Sequence, residues 1–125
     1  MKKALFTALF AFMAMVGFAQ QKEEWPALES FHTVMSQTFH PAEKGDLKPI
    51  MARSGEMVEK AIALKKSAIP ASYNKPGVKK ILSLLAKESK SLDKMVKNKK
   101  SEADLTKALT ALHERFHQLV EKCMH

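Results

Sequence analysis

Two histidines four residues apart, His113 and His117 in LTALHERFHQLV, are the pair whose type and spacing best suit chemistry. On a helix this spacing projects both imidazoles from one side, one turn apart, so that they can share a ligand. The stretch His113-Glu114-Arg115-Phe116-His117 has the letters H-E-x-x-H, but no third ligand follows it at a fixed spacing, so the pair is read as ion binding rather than hydrolysis. His32 is the third candidate, with Met35 one turn further along and Met57 on a second amphipathic stretch. Imidazole and thioether groups together suit copper, zinc or the iron of a haem. The expected metal set is therefore His32, His113 and His117, although methionines at helical spacing also serve as gap-filling core. His40, Glu43 and Asp46 in HPAEKGD form a looser cluster, whose plainer reading is helix termination and N-capping. The single cysteine, Cys123, is expected to be buried and inert, since a thiol in apolar surroundings has a raised pKa.

Helices must position these groups. Leu105, Leu109, Leu112, Phe116, Leu119, Val120 and Cys123 recur every three or four residues, and Ser101 with Asp104 resembles a capping box at the start of this last helix. A first helix is predicted from Glu23 or Glu24 to about Phe39, with Trp25, Leu28, Phe31, His32, Met35 and Phe39 on one side. His40-Pro41 marks its exit, because the residue before a proline is pushed out of the helical region. Asp46 is the expected N-cap of a second helix with Ile50, Ser54, Met57, Val58, Ala61, Leu64 and Ala68 inward. After the loop Pro70–Gly77, a third helix runs from about Pro76 to Lys97, with Val78, Ile81, Leu82, Leu85, Ser89, Leu92 and Val96 inward. The prolines fall in the connections or first turns, and no alternating strand pattern or internal repeat occurs. The fold expected is all-α, an antiparallel up-down-up-down four-helix bundle. If the first and last helices are antiparallel neighbours, a rise of about 1.5 Å per residue puts His32 at a height between His113 and His117. The helical wheel favours His32 and His113 over His117.

Residues 1–19, MKKALFTALFAFMAMVGFA, run from two lysines through an apolar core to a small-x-small site, the pattern of a secretory signal peptide. Cleavage before Gln20 leaves residues 20–125 as one bundle domain, periplasmic or secreted, with no stable membrane anchor. The chain carries a formal charge of +8, mostly from lysine, with Arg53 and Arg115 as its two arginines. No aromatic platform is interleaved with the lysines, so nucleic-acid binding is not expected. There is no GxSxG motif, no glycine-rich phosphate loop and no inward pair of carboxylates, so no enzyme activity is expected.

With its helices placed in this order, the chain resembles the small exported four-helix bundles of the cytochrome b562 and cytochrome c′ type. The resemblance covers nearly all of residues 20–125 and is architectural. It implies haem b held without covalent attachment between the first and last helices, with Met35 and His113 as the positions matching the b562-type ligands, and Phe31, Phe39, Leu112 and Phe116 lining the slot. The chain has no CxxCH, so c′-type attachment does not apply. The extra His32 and His117 depart from the b562 pattern and leave bis-histidine haem or a plain metal ion open. Three functions follow as expectations: a copper- or zinc-binding bundle that sequesters or delivers the ion to a partner, a haem-carrying redox protein, or a ligand-free interaction bundle.

Overall fold

The computed structural model describes residues 24–124, and for residues 122–124 it describes the backbone alone. The expected signal peptide, the thiol of Cys123 and His125 lie outside what is described. The elements are α1 (Pro26–Glu43), α2 (Lys48–Lys66), a 3-10 turn (Ala71–Tyr73), α3 (Val78–Lys97) and α4 (Glu102–Met124). Each helix packs on the next and α1 closes against α4, giving an up-down four-helix bundle. The α1–α4 seam is the sparsest of the four. Among the described residues no helix is long and apolar enough to cross a membrane.

The stripe α1 turns to the core is Phe31, Val34, Met35, Thr38, Phe39 and Ala42. His32, expected on that side, is exposed. Successive residues on a helix differ by about 100°, so with Phe31 fully buried its neighbour turns to the rim. The hydroxyl of Thr38 is satisfied inside the helix, donating to the carbonyls of Val34 (2.9 Å) and Met35 (3.2 Å). Pro26 opens the helix, where its missing N–H costs nothing. Trp25, just before it, is buried, stacks at a tilt on Tyr73 and donates its indole N–H to Ser67 Oγ at 2.9 Å, tying the head of α1 to the α2–α3 connection.

The predicted exit at His40-Pro41 is wrong by one turn. Pro41 lies inside α1, which ends in a Schellman motif: Asp46 N–H donates to the Pro41 carbonyl and Gly45 N–H to that of Ala42, both at 3.0 Å. Gly45 takes φ +90°, the left-handed conformation that this cap requires. The proline gives up one helical hydrogen bond, and the extra turn buries Ala42 and closes the cap. Asp46 does not cap α2 in the expected way. Leu47 is the flanking residue and is buried, while Asp46 Oδ1 accepts from Lys48 N–H at 3.1 Å.

Helix α2 buries Ile50, Ser54, Met57, Ala61 and Leu64, with Val58 half-buried. Ala68, expected inward, is exposed because α2 stops at Lys66 and the chain turns extended at Ser67. Ser54 Oγ donates to Asp93 Oδ1 across the α2–α3 interface at 2.7 Å, and Lys97 holds the other carboxylate oxygen at 2.9 Å. These contacts, Lys97 first and then Ser54, keep the Asp93 carboxyl below its ordinary pKa. Helix α3 starts at Val78 rather than Pro76, since Gly77 at φ +89° is its N-cap. Helix α4 begins as expected, with Asp104 N–H donating to Ser101 Oγ at 3.1 Å. Leu105, Leu109, Leu112, Phe116 and Leu119 form its buried stripe and Val120 is half-buried. Arg115 crosses to Glu88 on α3 with a forked contact, Nη2 to Oε2 at 2.9 Å and Nε to both oxygens at 3.2 Å.

Candidate functional site

His113 and His117 meet as their spacing predicts. Their Nε2 atoms stand 3.2 Å apart and the rings are edge-on, with centroids 4.4 Å apart. At this approach one Nε2 can donate an N–H to the other, which of them depending on the tautomer. With both rings in the Nδ1–H tautomer, two Nε2 lone pairs 3.2 Å apart would be free to chelate a cation. Bonds of 2.0 to 2.1 Å to one ion would then subtend about 100°, close to tetrahedral.

The rest of the surroundings come from the last turns of α1. Phe39, 8% exposed, lies parallel to the half-buried His113 ring, with centroids 3.8 Å apart and planes 10° apart. Next to it His40 is exposed, and its Nδ1 pairs with Glu43 Oε1 at 3.3 Å. Burial lowers the pKa of His113, and the nearby His117 and His40 lower it further; Glu43 and Glu114 act in the opposite direction without cancelling the shift. His113 is thus a neutral, desolvated imidazole at pH 7, the form that ligates metal.

The other expected ligands are dispersed. His32 lies flat on Phe116, with centroids 5.0 Å apart and planes 18° apart, on the exposed side of α1. Met35 and Met57 are completely buried in the hydrophobic core. With the side chains as they stand, no group of three or more histidine, cysteine, aspartate or glutamate residues among those described could hold a metal ion. A cleft of about 450 Å³ beside Lys65, Ser67, Asn74 and Lys79 shares no residue with the histidine cluster.

Comparison with protein-family models, curated proteins and solved structures finds no match for this chain. Sequence reasoning missed the stack of Phe39 on His113 and the approach of His40 and Glu43 to that pair. The signal was present: Phe39 and Glu43 are four apart and share a helix face. Ending α1 at Pro41 concealed it.

Proposed function

We propose that this chain is an exported helical-bundle protein that binds a transition-metal ion, copper or zinc, at the surface of the α1–α4 seam, to sequester it or pass it to a partner. The observation that carries this reading is the 3.2 Å separation of the His113 and His117 Nε2 atoms. Support comes from the lowered pKa of His113, which keeps the ligating lone pair free at neutral pH. Export rests on the signal-like residues 1–19.

Haem b is the alternative on the same seam, in the manner of the b562-type bundles. Its expected ligands are less well disposed: Met35 has no exposed surface and the face of His113 is covered by Phe39. Haem would have to part α1 from α4, whereas an ion needs no such opening. The test is thermal melting of residues 20–125 with and without Zn²⁺ or Cu²⁺. A ligand that binds the folded state must raise the Tm, by an amount set by its concentration relative to Kd. A rise that disappears in His113→Ala supports the reading; no rise with either ion overturns it. A Soret band after incubation with haemin would move the assignment to haem.

A further inference from the structure

We propose that the cleft of about 450 Å³ between the end of α2 and the start of α3 binds an organic anion, its phosphate or carboxylate head held by Lys65 and Lys79 and its small apolar body seated on Ile69 and Leu82. This site is independent of the histidine pair and of the metal-binding reading. The cleft's volume lies within the range of small-molecule sites. Lys65 stands in the last turn of α2 and Lys79 in the first turn of α3, so two helices bring their ammonium groups to one opening. Leu82 is 2% exposed and Ile69 is half-buried, which gives the cleft an apolar floor. Ser67 Oγ is committed to Trp25 and to the Leu64 carbonyl. The Asn74 amide and the Ser83 hydroxyl make no hydrogen bond among the described residues and remain available as donors.

Charge selects the class of ligand. No aspartate or glutamate lies between Glu59 and Glu88, a stretch that carries seven lysines. Among the described residues neither Lys65 nor Lys79 pairs with a carboxylate, so two like charges share the cleft uncompensated. Helix stability does not account for Lys79 either. The first turn of α3 holds no acidic residue, although the positive end of the helix dipole favours a carboxylate there and disfavours a lysine. An anion between the two ammonium groups replaces both repulsions with charge-assisted hydrogen bonds. A second cleft, beside Leu47 and Thr106, is different: it carries Glu102 together with Lys107, and its charge is balanced. The floor of Ile69 and Leu82 then separates an organic anion from a bare one, since covering it adds a hydrophobic contribution that an inorganic ion cannot supply.

The experiment is calorimetric titration of residues 20–125, which contain the whole buried core, with phenyl phosphate, hexanoate and inorganic phosphate at low salt. The wild type should bind phenyl phosphate or hexanoate about tenfold or more tighter than inorganic phosphate, and Lys65→Gln combined with Lys79→Gln should lose about tenfold or more of that affinity. Lys87→Gln combined with Lys90→Gln removes the same charge from exposed positions of α3 outside the cleft and should stay within about twofold of wild type. All four lysines are exposed, and circular dichroism verifies folding. Equal losses in the two double variants would show attraction to net charge alone and overturn the site. Absence of binding by both organic probes, or inorganic phosphate binding as tightly as they do, would overturn it too. Sedimentation with phosphatidylglycerol vesicles then distinguishes the source of the head group. Pelleting that the cleft variant loses and the outer variant keeps assigns it to a lipid, and no pelleting of the wild type assigns it to a free anion.

Discussion

The Phe39 ring lies parallel to the imidazole of His113, with centroids 3.8 Å apart, and this contact joins the end of α1 to the middle of α4. It covers one face of the imidazole and leaves Nε2 turned towards His117. Burial is the largest cause of the lowered His113 pKa, and the Phe39 ring is one of the surfaces that cover it.

Replacing Phe39 with leucine should therefore raise the His113 pKa towards 6.5, the value from which it is displaced. Leucine keeps the site apolar but covers less of the ring. Imidazole resonances followed by NMR through pH 4 to 8 measure the change, and an unaltered or further lowered His113 pKa would show that desolvation does not come from Phe39.

Stability should fall on mild acidification. Because the folded-state pKa of His113 is depressed, the unfolded chain takes up the proton first as pH drops. The stability this neutral imidazole contributes above about pH 6.5 is then lost as pH falls through the folded pKa. Urea midpoints at pH 7.5 and 5 should diverge more for the wild type than for His113→Gln; equal slopes for the two proteins would remove His113 as the source.

The ends of α3 and α4 offer a matched pair of tests. Lys99 holds φ +54° in the Schellman cap of α3, where its N–H reaches the Val96 carbonyl at 3.0 Å and Lys100 N–H reaches that of Met95 at 3.1 Å. Lys99→Gly should stabilise by about 1 kcal/mol through relief of the left-handed conformation. Ser101→Ala, two residues on, should destabilise by about 1 kcal/mol through loss of the bond to Asp104 N–H. Chemical denaturation at pH 7 reads both, and changes of the same sign would contradict the assigned caps.

Ser89 is fully buried in α3 and its Oγ has no hydrogen-bond partner. Ser89→Ala should leave stability unchanged or raise it by about 1 kcal/mol, since it removes a hydroxyl desolvated without compensation. A loss above about 1 kcal/mol in the same assay would mean that the hydroxyl is bonded in solution, for instance to a bound water.

Four helices and most of their buried faces are legible from the chain alone, because a helix carries its own period. Leu105, Leu109, Leu112, Phe116 and Leu119 are spaced to face one way whatever lies opposite, and all five are buried. The cap at Ser101 and the meeting of His113 with His117 are equally local, fixed by contacts within a single turn or two. The rotation of α1 about its axis is a different kind of quantity. Leu28, Phe31, His32, Met35 and Phe39 occupy one broad arc of the wheel. Only packing against α2 and α4 decides that Phe31 is buried and His32 lies on the surface. The passage of α1 through Pro41 is decided in the same way: a local rule disfavours helix at His40, but the burial of Ala42 and the cap at Gly45 depend on what the extra turn touches. Tertiary structure therefore laid His32 on Phe116 and set Phe39 against His113, with His40 and Glu43 close enough to act on its charge, since a helix's period says which residues share a face and not which neighbour that face will meet.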